Sequence, residues 1–272
     1  MSKILVLAEK PSVGRDIAKV LKCTQNRNNY LEGGKYIVTW ALGHLVTLAD
    51  PEAYNSKYAS WEMEDLPILP SDLKLVTIKK TSRQFNTVKE QMKRKDVSEI
   101  VIATDAGREG ELVARWIIEK ANIRKPLKRL WISSVTDKAI KEGFNKLRNG
   151  KEYENLYYSA VARAEADWII GINATRALTC KHNAQLSCGR VQTPTLAMVA
   201  KREEEIRNFK PKTYYGISAI ADKIKLTWQD DKSNNTRVFN EDKIDSIIKS
   251  LKSKEGEAVD LKKSHKKSYS PG

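Results

Sequence analysis

The sequence predicts an α/β domain with a mainly parallel sheet, followed by an α-helical segment and by the start of a β-rich domain. Short apolar, β-branched runs alternate with helical patterns over residues 1–150, which is typical of βα units. A long helical, alanine-rich pattern then dominates residues 151–211. From residue 213 the apolar positions alternate with polar ones, so we place a β-rich domain, cut off in mid-course, at residues 212–272.

The first βα unit places two charged side chains at the end of a buried strand. Residues 4–8 are apolar and are followed by Glu9 and Lys10, and Pro11 suits the first position of the next helix. Neither G-x-G-x-x-G nor G-K-[ST] follows the strand, which excludes the dinucleotide and P-loop fingerprints. The unit offers a carboxylate and an ammonium at a loop mouth, although an ordinary solvated turn would look the same.

The elements between this unit and residue 150 alternate in the same way. We predict strands at residues 36–40, 73–78 and 130–132, and helices at residues 82–95 and from Thr136 to the Asn149-Gly150 stop. The loop residue His44 is either structural or catalytic. The aromatic residues of segment 50–69 either stack on bases or pack the loop onto the domain.

The central strand of the predicted sheet runs into an acidic turn. Residues 100–103 are apolar and β-branched, and Asp105, Glu109 and Glu111 follow where a helix begins. Open α/β sheets bind ligands at the carboxyl ends of their strands, and neighbouring carboxylates need a cation between them, so this cluster suits Mg²⁺. The alternative is a helix N-terminus that simply favours acids. If the two strands are neighbours, Glu9 and Asp105 meet at one edge.

The second half of the chain contains a helix, a loop that suits phosphate contacts and a hairpin. Within the helix at residues 153–182, Arg163 and Asp167 are i, i+4 partners on one face. The following loop presents backbone N–H groups and the Arg190 fork to a phosphodiester backbone. The later elements are a helix at residues 195–205, a hairpin at 215–228, a short helix at 242–251 and an extended basic segment at 257–270.

The bulk composition favours a nucleic-acid partner. The chain has 272 residues, a net charge of +15 and a pI of about 9.6, which suits a polyanion. No apolar run approaches the length of a membrane span, and the short apolar N-terminus does not have the pattern of a signal peptide. Three cysteines without C-x-x-C spacing favour a reducing cytoplasm and argue against zinc.

Four stretches, in this order and spacing, resemble one family: LAEKPS around Glu9, ATDAGREGE around Asp105, ARAEADWIIGINATRA around Asp167 and SCGRVQTPT around Arg190. They are similar to type IA DNA topoisomerases, and within them to the bacterial topoisomerase III branch. The resemblance implies a Toprim domain, a helical catalytic domain and a β-rich arch domain. It also implies ATP-independent cutting, passage and resealing of DNA strands, which relaxes negative supercoils or decatenates DNA. The implied protein is a monomer in the bacterial cytoplasm, associated with the nucleoid.

The resemblance also implies roles for individual residues. Glu9 would be the general acid/base at the 3′-oxygen, and Lys10 would stabilise charge on the scissile phosphate. Glu9, Asp105 and Glu109 would be the ligands of Mg²⁺, which matters more for resealing than for cutting. The residues expected to contact single-stranded DNA are Trp61, Arg163, Asp167, Trp168, Arg176, Ser187, Cys188, Gly189, Arg190, Val191 and Gln192.

Two departures from the family pattern affect these expectations. The family usually has D-x-D-x-E, and here Gly107 replaces the second acid, which puts a tight two-metal site in doubt. No tyrosine stands in a Y-P-R-T-like context, since Tyr269 precedes Ser-Pro-Gly, so we expect an N-terminal fragment that does not cleave DNA. The alternatives are a Toprim nuclease or primase and a non-catalytic module that binds single-stranded DNA.

Overall fold

The computed structural model describes residues 2–251. The chain divides into two compact units, Met1–Met198 and Val199–Gly272, and the residues that position the candidate site belong to the first unit. The segment predicted as extended at residues 257–270, including Tyr269, lies outside the described residues. No helix of the described part is long and apolar enough to cross a membrane.

The first unit is built around one mixed sheet. Its strands are β1 (Lys3–Ala8), β2 (Gln25–Arg27), β3 (Tyr30–Glu32), β4 (Tyr36–Trp40), β5 (Val46–Leu48), β6 (Leu75–Thr77), β7 (Val97–Ala103), β8 (Leu127–Arg129) and β9 (Arg148–Asn149). Among the described residues, seven of these strands form a sheet in the order β2-β3-β4-β1-β7-β8-β9. The central pairs β4-β1, β1-β7 and β7-β8 are parallel, which confirms the predicted mainly parallel core.

Helices cover both faces of this sheet. They are α1 (Pro11–Val20), α2 (Ser82–Lys93), α3 (Arg108–Lys120), α4 (Asp137–Asn145) and α5 (Glu154–His182), and α6 (Gln192–Arg207) follows. Along β1, the fully buried Leu5 and Leu7 pack in one apolar cluster with residues of α2, α3 and α5. Their neighbours Val6 and Ala8 pack in a second cluster with residues of α1 and α4. Because both faces are apolar, the strands read as continuous hydrophobic runs, as predicted.

Three parts of the strand prediction are wrong. The strand predicted at residues 130–132 is instead found directly before them, as β8 at Leu127–Arg129. The chain leaves the sheet at Trp131, whose ring stacks on Tyr153. The strand predicted at residues 73–78 shortens to β6, which pairs antiparallel with β5 outside the main sheet. The hairpin of β2 and β3 was not predicted, because β2 is short, polar and exposed and shows no apolar alternation.

The second unit confirms the predicted change to a strand period. Strands β10 (Ser218–Ala221) and β11 (Ile224–Thr227) form an antiparallel hairpin, and helix α7 (Glu241–Leu251) follows. The two turn residues, Asp222 and Lys223, have positive φ values of 46° and 70°. Positive φ at both positions is the geometry of a tight two-residue hairpin turn.

Candidate active site at the carboxyl rim of the sheet

The carboxyl ends of β1 and β7 bring two predicted acids together. The parallel register pairs Ala8 with Ala103, so the residues after both strands leave the sheet at the same edge. Oε2 of Glu9 accepts a hydrogen bond from the backbone N–H of Asp105 at 3.0 Å. The expectation that Glu9 and Asp105 meet at one edge is therefore confirmed.

Lys10 lies beside these acids as an exposed cation. Its Nζ is 3.4 Å from Oδ2 of Asp105, and the two side chains are 57% and 58% exposed. An exposed pair at this distance is screened by water and holds its partners weakly. We call the surface formed by Glu9, Lys10 and Asp105 the rim. The rim offers carboxylate oxygens and an ammonium group that a charged ligand can reach and rearrange.

A buried arginine that the sequence analysis did not identify fixes the backbone beneath the acids. Nη2 of Arg129 donates to the carbonyl oxygen of Asp105 at 2.7 Å, and its Nη1 donates to that of Thr104 at 2.8 Å. The side chain is fully buried, and its Nε lies 2.5 Å from Oε1 of Glu111. Burial lowers the pKa of the Arg129 guanidinium, and the Glu111 carboxylate opposes that shift. The only signal in the sequence was a basic residue directly before the apolar run Leu130-Trp131-Ile132.

Glu111 supports the site from within and does not belong to the exposed acidic cluster. From its position in the acidic turn Glu111 is expected beside Asp105 and Glu109, but it is fully buried. Its carboxylate pairs with Arg129 and, at 2.8 Å, with Nε of Arg115. Helix α3 turns Glu111 inwards, and a buried carboxylate is tolerated when it is paired and hydrogen-bonded in this way.

The acidic turn also depends on a glycine. Oγ1 of Thr104 donates to the carbonyl oxygen of Gly110 at 2.7 Å, which draws the start of α3 against the turn. A Cβ atom at Gly110 would lie 2.0 Å from the carbonyl oxygen of Asp105, so only glycine fits without displacing the turn. At Gly107, in contrast, an added Cβ would meet no atom within 4 Å. An acidic side chain, as the family usually has at this position, would therefore fit at residue 107 without a steric clash.

The rim offers part of a ligand set for a divalent cation. Glu9 and Asp105 supply carboxylate oxygens, the hard ligands that Mg²⁺ prefers. Among residues 2–251, no three His, Cys, Asp or Glu side chains group closely enough to hold a metal ion. The predicted set of Glu9, Asp105 and Glu109 is therefore not gathered into a three-ligand cluster. The arrangement fits an ion bound by one or two carboxylates, with phosphate and water as its other ligands.

A cleft of about 370 Å³ joins Glu109 to the helical segment. The cleft is lined by charged and aromatic side chains of the first unit, among them His44, Glu109, Arg163, Asp167, Trp168 and Arg190. The predicted Arg163–Asp167 pair is wrong: among the described residues Asp167 pairs with Arg190, whose Nε donates to Oδ1 at 2.6 Å. Because the loop folds back onto α5, a long-range pair replaces the local one.

Of the two tryptophans predicted to contact DNA, Trp61 is exposed and Trp168 is held in the wall of the cleft. Trp61 is 43% exposed, and the guanidinium of Arg176 lies 4.9 Å from its ring centre. Arg176 is itself 3% exposed and pairs with Glu52, so it holds Trp61 in place more than it faces solvent. Trp168 donates from Nε1 to the carbonyl oxygen of Ala49 at 3.0 Å, which fixes its ring in the wall of the cleft.

The predicted loop residues lie against α5, through the contacts of Cys188 and Arg190 with that helix. They range from half-buried to exposed and are Ser187, Cys188, Gly189, Arg190, Val191 and Gln192. Oγ of Ser187 donates to Oε1 of Gln192 at 3.3 Å, and Val191 is 67% exposed. Most of the loop is therefore accessible to a ligand, with Arg190 next to the cleft.

Comparisons with known proteins match the two halves of the chain separately. The family model for the Toprim domain matches residues 4–135, and the family model for DNA topoisomerase matches residues 151–272. Proteins named DNA topoisomerase 3 from Bacillus subtilis, Bacillus licheniformis and Bacillus cereus are 72%, 70% and 67% identical to this chain. Each alignment covers 100% of this chain and 37% of the relative, so the chain spans little more than a third of these relatives' length.

A solved structure agrees with the fold. The full-length topoisomerase I from Thermotoga maritima superposes with a TM-score of 0.58 at 24% sequence identity. The superposition covers 89% of this chain and 37% of that chain. At this identity the likeness supports the fold alone, a Toprim domain followed by a helical segment.

Proposed function

This chain belongs to the DNA topoisomerases that join a Toprim domain to the bacterial topoisomerase domain, and from that premise we propose that it supplies the strand-binding and metal-dependent parts of a type IA topoisomerase III. In the proposed reaction one DNA strand is cut, another strand passes through the gap, and the cut is resealed without ATP. The outcome is relaxation of negative supercoils or decatenation of DNA.

One observation carries this proposal. The N–H of Asp105 binds the carboxylate of Glu9 at 3.0 Å, which places two acids from two parallel strands at one accessible rim. Lys10 stands beside them at 3.4 Å from Asp105. A rim with hard oxygen ligands and a cation suits a phosphodiester and a divalent ion better than an apolar ligand.

The rim residues divide the chemistry between them. Glu9 gives a proton to the leaving 3′-oxygen during cutting and removes it during resealing, and Lys10 offsets the charge that develops on the phosphate. Glu9 and Asp105 would hold Mg²⁺ through their carboxylate oxygens, and Glu109, which lines the neighbouring cleft, is the further carboxylate proposed for the ion although the three do not form a cluster in the described residues. When bound, Mg²⁺ would supply the positive charge that helps to place the free 3′-hydroxyl for resealing.

The cleft and the loop bind the strand that reaches the rim. Arg163 and Arg190 offer guanidinium groups to phosphate oxygens, and Trp61 and Trp168 offer rings to bases. Asp167 orients Arg190 through its 2.6 Å contact. The net charge of +15 adds a general attraction for DNA. We propose that the partner is single-stranded DNA, and that the protein is a monomer in the bacterial cytoplasm at the nucleoid.

A chimera tests the proposed activity. The 272 residues replace the matching residues of the DNA topoisomerase 3 of Bacillus subtilis, to which they are 72% identical. We expect this chimera to relax negatively supercoiled plasmid in the presence of Mg²⁺, as measured by gel electrophoresis. Glu9→Gln and Asp105→Asn should abolish relaxation, whereas Asp16→Asn, which changes an exposed carboxylate on α1, should not.

Other outcomes would favour a different function. Metal-dependent nicking by the 272-residue chain, without a covalent protein–DNA adduct, would indicate a Toprim nuclease. A chimera that binds DNA and keeps full relaxation activity with Glu9→Gln and Asp105→Asn would contradict the roles given to the rim. Attachment of a DNA 5′-phosphate to this chain would show that one of its own tyrosines is the nucleophile, which the proposal does not expect.

A further inference from the structure

The loop that carries Arg190 has no regular secondary structure of its own at residues 185–189. Its backbone N–H and C=O groups therefore need other partners. Two threonine side chains of α5 supply the partners for two of these residues, Leu186 and Cys188. Oγ1 of Thr175 accepts from the N–H of Cys188 at 2.9 Å and donates to the carbonyl oxygen of the same residue at 3.2 Å. Oγ1 of Thr179 accepts from the N–H of Leu186 at 3.2 Å and donates to its carbonyl oxygen at 3.0 Å.

These threonines belong to a row that recurs every four residues along one face of α5. Asp167 binds Arg190, Thr175 binds Cys188, and Thr179 binds Leu186. Between the first two stands Gly171, where an added Cβ would lie 3.8 Å from the carbonyl oxygen of Cys188. Residues four apart are neighbours on a helix surface, so these positions line the side of α5 that lies against the loop.

The usual behaviour of threonine in a helix makes this arrangement informative. A helical threonine hydroxyl commonly turns back to the carbonyl of its own preceding turn. Here both hydroxyls use their one donor and one of their acceptor sites on the loop instead. Each hydroxyl fixes both backbone polar groups of one loop residue, and Oγ1 of Thr193 accepts from the N–H of Gly189 at 3.1 Å directly before Arg190.

We propose that Thr175 and Thr179 are positioning residues that hold Arg190 where it can bind a phosphate of the single strand. This inference rests on the proposed function. Arg190 is 50% exposed and gives its Nε to Asp167, so its terminal N–H groups can bind phosphate oxygens from a fixed base. Thr175 acts closest to Arg190, and Thr179 anchors the start of the loop.

The direct test measures, by fluorescence anisotropy, how tightly the full chain binds a fluorescein-labelled oligothymidylate. Thr175→Val keeps the shape of the side chain and removes the hydroxyl, and we expect about tenfold weaker binding, the loss of roughly one charge-assisted hydrogen bond. Thr175→Ser keeps the hydroxyl and should bind within about twofold of the wild type. The slope of log affinity against log salt should fall by about 0.7 in Thr175→Val, the value for one lost phosphate contact on a single strand.

A double-mutant cycle separates positioning from general damage. If Thr175 acts through Arg190, Thr175→Val should cause no further loss in an Arg190→Ala background. Equal losses in both backgrounds, or equal affinity of Thr175→Val and Thr175→Ser, would overturn the proposal. Thr179→Val provides a second variant, with an expected loss of about threefold and the same dependence on Arg190.

Hydrogen exchange checks the loop without DNA and keeps the two proposals distinguishable. The amides of Leu186 and Cys188 should lose protection in Thr179→Val and Thr175→Val respectively, while those of the sheet keep it. Unchanged protection would overturn the hydrogen-bond assignment whatever the DNA result. A wild-type chain that shows this protection and does not bind the oligonucleotide would instead contradict the proposed function.

Discussion

The two ends of the same pair of strands are built in opposite ways. At the carboxyl ends of β1 and β7, Glu9, Lys10 and Asp105 are connected by one backbone hydrogen bond and one exposed ion pair. At the amino ends, Lys3 and Arg94 enclose the carboxylate of Glu32, which is 11% exposed. The charges at the carboxyl ends are accessible to a ligand, whereas the charges at the amino ends are paired with one another.

The closed network at the amino ends is held by several short contacts. Nη2 of Arg94 lies 2.9 Å from Glu32 and 2.8 Å from Asp96, and Lys3 also binds Glu32. The hydrogen bonds from Arg94 are the main reason that the pKa of the Glu32 carboxyl lies below its ordinary value. Removing one partner from paired, partly buried charges of this kind is destabilising, because it leaves the other charge without compensation, whereas removing a partner from the exposed rim pair costs little.

The difference shows how one sheet serves two purposes. The acids of the rim can remain exposed because buried groups hold the backbone that carries them. These groups are the Arg129–Glu111 ion pair and Gly110, which packs closely against the carbonyl oxygen of Asp105. Substitutions of the exposed acids should therefore change function and leave stability nearly unchanged. Substitutions of the buried supports, and of the closed network, should change stability.

The largest effect is expected at Arg129. Arg129→Leu leaves the buried carboxylate of Glu111 with Arg115 as its remaining ion-pair partner, so the free energy of unfolding should fall by about 3–5 kcal/mol. Urea denaturation followed by circular dichroism measures this loss. The double variant Arg129→Leu, Glu111→Leu also removes this buried carboxylate, which has lost one of its two cationic partners, and should be more stable than Arg129→Leu alone. A single variant as stable as the wild type would contradict the role of Arg129 as the support of the rim.

The next effect separates two glycines of the same turn. Gly110→Ala places a Cβ 2.0 Å from the carbonyl oxygen of Asp105, so we expect a loss of about 3 kcal/mol and displacement of the turn. Gly107→Ala is the matched control, since its Cβ meets no atom within 4 Å, and its stability should stay within about 0.5 kcal/mol of the wild type. Equal stabilities of the two variants in urea denaturation would show that the turn is not tightly packed.

The closed network predicts a dependence of stability on pH. Because the pKa of Glu32 is lowered in the folded state, its stabilising effect is complete above its unfolded pKa of roughly 4.3 and is lost as the pH falls through the lowered value. Glu32→Gln should cost about 2 kcal/mol at pH 7, and this difference from the wild type should shrink below about pH 4. Denaturation across pH 3–7 measures it, with Glu99→Gln on β7 as the control. A difference that is independent of pH would contradict the ion pair.

The smallest expected effect on stability is at the open rim. Asp105→Asn and Glu9→Gln change exposed or half-exposed side chains and should alter the free energy of unfolding by less than about 0.5 kcal/mol. Thermal denaturation of the two variants in the absence of metal checks this. A loss similar to that of Glu32→Gln would mean that the rim is also part of the stabilising network.

The sequence predicted the rim better than its supports. The apolar runs at residues 4–8 and 100–103 predicted two buried strands. The acids that follow each strand were recognisable because they end these apolar runs. Arg129 was missed because the apolar Leu-Trp-Ile that follows it resembled the strand itself. The inward turn of Glu111 and the hydroxyl contacts of Thr175 and Thr179 depend on partners far along the chain, which a local pattern does not encode.

The central claim is that the open rim binds a divalent ion through Glu9 and Asp105. The most direct measurement titrates Mn²⁺, as a paramagnetic substitute for Mg²⁺, into the isotope-labelled chain and follows the broadening of amide resonances. We predict that residues 9, 10 and 105–109 broaden first, that Mg²⁺ reverses the effect, and that Asp105→Asn removes it. First broadening at Glu32 or Asp96, or an unchanged pattern in Asp105→Asn, would contradict the claim.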